Sequence, residues 1–162
     1  MNDLLTDRLV LHPFTAEEAR LVETGERGPD THWAPDYPAE GERTGARMFV
    51  RACEAVGDPQ PFGGYEIRRA SDGRAIGGIG FHGGPDEHGA VEVGYGLAES
   101  ARGQGYAREA VRRMVELARE QGVTKFLGNT GHDNVPSQRV MLAAGMTLVN
   151  EDEELKYYEL VL

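Results

Sequence analysis

The stretch RGQGYAREA, Arg102 to Ala110, sets two glycines immediately before a run that reads as helix. Such a turn leaves backbone N–H groups unobstructed, and the first helical turn adds up to four more without intrahelical partners. With about half a positive charge from the helix macrodipole, this end suits an anion, and a diphosphate fits well. Arg102 can add a charge-assisted hydrogen bond or simply be solvated. Two other phosphate-binding signatures are absent: there is no G-x-x-x-x-G-K-[ST], and Arg108 breaks the pattern G-x-G-x-x-G. Just upstream, AVEVGYGL alternates as a strand, with Val91, Val93, Tyr95 and Leu97 on one face and Glu92, Gly94 and Gly96 on the other. The second face combines one carboxylate with empty space. Glu92 there could draw a proton from an ammonium nucleophile, or it could be a solvated residue or half of a hairpin ion pair.

Other residues offer less defined chemistry. Asn134 opens NVPSQRVMLAAGM either as a ligand contact or as a helix cap. Trp33, Asp36 and Tyr37 lie in a long Pro-rich loop, where an aromatic beside a carboxylate could grip an amine substrate; alternatively, Trp33 anchors the loop to the core. The histidines His12, His32, His82, His88 and His132 show no metal-ligand spacing, so no metal is expected. Cys53, in a helix distant from the motifs, gives no reason for a covalent intermediate.

The elements that must position these residues alternate in type, without an internal repeat. RLVLHP reads as a strand, and Thr15 with Glu18 forms a capping box for a helix ending near Gly25. Residues 25 to 40 read as loop, and Met48, Phe49, Ala52, Cys53 and Val56 mark a second helix ending at Gly57. PFGGYEIRRA, AIGGIGFHGG and AVEVGYGL form an antiparallel meander through the turns SDGR and GPDEHG. Ala107, Ala110, Val111, Met114, Val115 and Ala118 define an amphipathic helix terminated at Gly122. KFLGNTG is a strand, Asp133 to Ala144 a capped helix closed by Gly145, and MTLVN and LKYYELVL a final strand pair around EDEE. The class is α+β with a largely antiparallel sheet.

The segment VEVGYGLAESARGQGYAREAVRRMVELA resembles the central motif of the GNAT acetyltransferase superfamily, with Arg102, Gly105 and Ala107 at the positions of [QR]-x-x-G-x-[GA]. TDRLVLHPFTAEEA and NVPSQRVMLAAGM are similar to flanking motifs of the branch that contains the ribosomal-protein alanine N-acetyltransferases. This resemblance implies a GNAT fold: a mixed, mostly antiparallel twisted sheet of six to seven strands, flanked by about four helices. It implies acetyl-CoA as co-substrate, with the loop amides around its pyrophosphate and the pantetheine arm beside a splayed strand. The implied coenzyme contacts are Tyr95, Leu97, Arg102, Gly103, Gln104, Gly105, Tyr106 and Ala107, then Asn134 and Arg139. Glu92 matches a family position for a general base. Many members carry an acidic Tyr seven residues after the Asn, where this chain has Met141. In the ribosomal-protein-like branch a Ser stands near the sulfur, which implies that role for Ser137, with Tyr157 and Tyr158 as reserves.

Composition bounds the rest. At 162 residues, a single domain spanning 1–162 is expected. One cysteine points to a reducing, cytoplasmic setting, and neither a leader nor a run of about 18 apolar residues is evident. A net charge of −10, from 27 acidic and 17 basic residues, disfavours nucleic acid and weakly favours a cationic substrate. The expectation is an N-acetyltransferase acting on a primary amine, of a protein N-terminus or a small molecule, by direct attack in a ternary complex. The competing reading is a non-catalytic acyl-CoA-binding sensor. No nucleic-acid or membrane partner is expected, and a homodimer is left open.

Overall fold

The computed structural model describes residues 1–162. Its elements run β1 (Leu4–Leu5), β2 (Leu9–Pro13), α1 (Ala16–Thr24), α2 (Glu40–Val56), β3 (Gly64–Arg69), β4 (Ala75–Phe81), β5 (Ala90–Leu97), α3 (Tyr106–Glu120), β6 (Lys125–Gly131), α4 (Val135–Ala143), β7 (Thr147–Glu151) and β8 (Leu155–Val161). The eight strands form one sheet in the order β1-β2-β3-β4-β5-β6-β8-β7. Every neighbouring pair is antiparallel except β5 with β6. The sheet thus has one strand more than the upper expectation. The addition is β1, a two-residue edge that pairs Leu4 with Leu11 and is too short to leave a periodic signal.

Local chemistry explains the boundaries. Thr15 Oγ1 accepts the Glu18 N–H at 3.2 Å, and the Glu18 carboxylate accepts the Thr15 N–H at 2.9 Å, so both halves of the capping box start α1. Gly25, in the left-handed region at φ 73°, ends it. The last helix runs Val135–Ala143, within the expected span, and Asn134 is its cap: its Oδ1 accepts the Ser137 N–H at 3.2 Å. α3 buries Ala110, Val111, Met114, Val115 and Ala118, the stripe its spacing predicts.

The two faces of the central strands differ. Tyr65, Ile67, Ile79, Phe81, Val91 and Val93 belong to the hydrophobic core, where burying each large side chain stabilises by roughly 1.5–3 kcal/mol. Between them in the alternation lie Gly64, Gly78, Gly80, Gly94 and Gly96, and the register sets Gly64 opposite Gly80, Gly80 opposite Gly94, and Gly78 opposite Gly96. These glycines make a bare floor in the part of the sheet on which α2 packs.

Candidate active site

The parallel ladder between β5 and β6 is short. It pairs Ala90 with Lys125, Val91 with Phe126 and Glu92 with Leu127, and then the two strands separate although β5 continues to Leu97 and β6 to Gly131. β6 stays paired along its far edge with β8, and β5 with β4. Residues 93–97 therefore present backbone hydrogen-bonding groups toward a gap with no strand in it, which suits an extended ligand.

At the end of β5 the chain makes a single 3₁₀ turn, Glu99–Ala101, and enters α3 through Arg102, Gly103, Gln104 and Gly105. Gly103 and Gly105 are left-handed, at φ 77° and 82°, and a Cβ on Gly103 would meet nothing within 4 Å. No side chain caps the helix, so its first N–H groups are free for an anion. The residues present fit a diphosphate. Arg102 is exposed and anchored by Nε to the Leu97 carbonyl at 3.1 Å. Gln104 donates to the Ser100 carbonyl at 3.3 Å. Leu97 and Tyr106 are buried and Ala107 is half-buried, packed on the core. What Leu97 and Tyr106 can offer a ligand here is mainly main chain. Asn134 and Arg139 are exposed at the start and middle of α4.

Across the gap Tyr95 and Ser137 meet. The two hydroxyls lie 2.7 Å apart, and the Tyr95 hydroxyl also donates to the Ser137 carbonyl at 3.3 Å. Burial raises the Tyr95 phenol above its ordinary value, with the Ser137 contact opposing. Met141 is buried and packs on Gly128. Neither reserve tyrosine is free for the gap: Tyr157 donates to Asp152 at 2.7 Å, and Tyr158 is buried in the core.

Glu92 is half of a hairpin ion pair, one of the readings left open for it, and the partner is His82. His82, just beyond β4, binds the Glu92 carboxylate through Nδ1 at 2.8 Å, both side chains being about 40% exposed. The other ring nitrogen, Nε2, lies over the glycine floor, 2.6 Å from where a Cβ on Gly94 would sit. The hairpin register could have revealed this pair, since the His82 N–H also donates to the Glu92 carbonyl.

The loop residues divide. Trp33 is buried, edge-on to Tyr37 at 5.5 Å, and its backbone bridges Ala75, so it anchors the loop. Asp36 accepts the Ser100 N–H at 2.8 Å and the Ser100 hydroxyl at 2.7 Å, and these two bonds hold its carboxyl below the usual range. It ties the loop to the entrance of α3. Tyr37 is buried, donates to Glu66 at 3.1 Å, and lines a cavity of about 400 Å³ between α2 and the glycine floor.

Two further residues left no legible pattern in the sequence. Arg8 donates to the Gln104 carbonyl at 2.9 Å, pairs with Glu109 at 2.8 Å and stacks 4.5 Å from the Tyr106 ring centre, bracing the entrance of α3. Glu42, in the first turn of α2, is a buried carboxylate that lines the cavity. No group of three or more His, Cys, Asp or Glu side chains is placed to hold a metal ion, and no helix is long and apolar enough to cross a membrane.

Comparison with known proteins bears on family and fold. The Acetyltransferase (GNAT) domain family matches residues 8–147. An uncharacterized N-acetyltransferase of Bacillus subtilis, YjdG, is 32% identical over 99 residues, an alignment covering 60% of this chain and 58% of that relative's length. Among solved structures, the ribosomal-protein-S5-alanine acetyltransferase of Vibrio fischeri superposes with a TM-score of 0.71 at 14% identity, covering 99% of this chain and 97% of the other. RimL, a ribosomal L7/L12 α-N-protein acetyltransferase solved with coenzyme A, gives 0.71 at 17% identity, with 99% and 98% covered. At such identities these two establish likeness of fold alone. The domain match spans most of the sequence, and the chain belongs to the GNAT acetyltransferase family.

Proposed function

We propose that the protein transfers acetyl from acetyl-CoA to a primary amine, both bound at once. The observation that carries this reading is the separation of β5 from β6 beyond Glu92, directly upstream of the uncapped N-terminus of α3. An extended thioester ligand can pair with the free edge of β5 while its diphosphate rests on the amides of Gly103 to Ala107. Cys53 is half-buried in α2, and burial raises its thiol above the ordinary value, which disfavours a thiolate nucleophile and an acyl-enzyme.

In this reading Glu92 orients His82, and His82 Nε2, over the floor at Gly94, takes the proton from the ammonium form of the acceptor. The freed nitrogen attacks the thioester carbonyl carbon, the carbon–sulfur bond breaks, and one of the two protons left on nitrogen reaches the departing thiolate through the Ser137 and Tyr95 hydroxyls, the other staying on the amide. Those hydroxyls stand where Met141 cannot serve as an acid. Thiol release by purified protein, acetyl-CoA and a panel of primary amines tests the reading. Coenzyme binding without release for any amine would return the chain to a sensor.

Ser137→Ala should slow transfer by roughly tenfold to a hundredfold, because one hydrogen bond to developing charge contributes up to about 2.7–4 kcal/mol and a thiolate leaves fairly well. Tyr95→Phe should cost a similar factor, and the double variant little more than either alone, since the two hydroxyls form one relay. Coenzyme affinity by calorimetry should move little. Additive losses would separate the two hydroxyls into independent roles.

A further inference from the structure

The cavity between α2 and the glycine floor has a chemical character of its own. Its walls carry Phe14, Phe49, Phe62 and Phe81, and its floor includes Gly94 and Gly96 of the free segment of β5. Into this apolar space comes one carboxylate. Glu42 is 8% exposed, its Oε1 has no hydrogen-bond partner, and its Oε2 is 3.1 Å from where a Cβ on Gly96 would sit. The other buried acid nearby differs: Glu66 is satisfied by the Tyr37 hydroxyl at 3.1 Å and Arg68 at 2.8 Å.

We infer that this cavity is the acceptor site and that it selects a small monoamine with a compact apolar, preferably aromatic, body, whose ammonium group binds Glu42. This rests on the acetyltransferase reading above and adds the class of acceptor to it. Glu42 Oε1 is closed off from this space, so the oxygen open to a bound ammonium is Oε2, on the side of Gly96, where the donor supplies a hydrogen bond and the countercharge that the apolar surroundings withhold. Four phenylalanines offer nothing polar to a second or third amino group, so a polyamine would leave charges unpaired in apolar surroundings. A volume of about 400 Å³ holds on the order of a dozen non-hydrogen atoms at the packing of a liquid, roughly 30 Å³ each. The bare glycine floor lets the bound amine approach β5 and His82 Nε2.

A local structural role for Glu42 makes a different prediction. It stands in the first turn of α2, where the amides of Ala39 and Glu42 itself favour its charged form, burial opposing them more strongly. Arg102 and Asp36 are the other charges that act on it, in opposite directions. Gln can replace Glu in such a helix-start contact, so Glu42→Gln keeps the structural role and removes the charge.

The test compares 2-phenylethylamine with spermidine as acceptors in thiol release from acetyl-CoA, on the parent protein and on Glu42→Gln. The parent should favour 2-phenylethylamine at least tenfold in kcat/KM. Glu42→Gln should raise its KM tenfold to a hundredfold, with kcat and melting temperature little changed, as expected for a lost charge-assisted bond. A preference for spermidine, or an unchanged KM in the variant, overturns the assignment. Calorimetry on the parent protein probes the same contact with neither the variant nor turnover: 2-phenylethylamine should bind at least tenfold tighter than neutral 2-phenylethanol, and equal binding refutes the role of Glu42. If the amine binds in that manner yet no thiol is released with any acceptor, the acetyltransferase reading falls and the ammonium site stands.

Discussion

His82→Ala lowers turnover about 100-fold or more and leaves acetyl-CoA affinity intact. Proton transfer by a positioned side chain contributes typically 10²–10⁴-fold, and His82 Nε2 is the basic atom held over the glycine floor beside β5. Glu92→Gln should cost less, roughly tenfold, because an amide can still accept from His82 Nδ1 but no longer stabilises the charged ring. The order of the two losses distinguishes the roles. If Glu92→Gln is the more damaging, the carboxylate is the base and the histidine only braces it. If neither variant loses activity or changes the pH profile of kcat/KM, the two residues are no more than an ion pair across the hairpin.

Gly105→Val raises the dissociation constant for acetyl-CoA by roughly 100-fold. Gly105 sits at φ 82°, a conformation that a β-branched side chain adopts only with strain of about 1–3 kcal/mol. The first added atom would also come within 3.3 Å of Arg8 Nη2, disturbing the contacts that brace the start of α3. Both effects would displace the amides proposed to hold the diphosphate. Calorimetry with acetyl-CoA measures this directly, and circular dichroism checks that the variant folds. A folded variant with parental affinity would mean that the diphosphate lies elsewhere.

Most of the architecture is legible in the sequence because its signals are local. The capping box at Thr15, the stripe on α3 and the alternation of AVEVGYGL act within a few residues, and each appears at its expected place. The glycine-rich entrance to α3 is equally local. The rest depends on contacts distant in the chain. Glu42 looks like an ordinary acid in a first helical turn until α2 packs on β4 and β5, and its burial then becomes its main property. Asp36 resembles a substrate ligand until Ser100, 64 residues away, claims both its oxygens. Arg8 acquires its role only from Gln104 and Glu109. Ser137 is visible in the sequence three residues after Asn134, but its phenolic neighbour at 95 emerges only when α4 comes against β5.

The bare floor beneath α2 sets heat resistance against activity. A glycine inside a strand costs roughly 0.5–1 kcal/mol relative to alanine, and at Gly78 an added Cβ would have only ordinary contacts, at 3.7 Å from the Tyr65 carbonyl and 3.9 Å from Glu42 Cγ. Gly78→Ala should therefore melt about 2–4 °C higher per kcal/mol gained in a domain of this size, while its methyl group intrudes beside Glu42 and raises the KM of the acceptor. Screens for thermal tolerance alone would drift toward such fillings and return sturdier proteins that have lost their substrate.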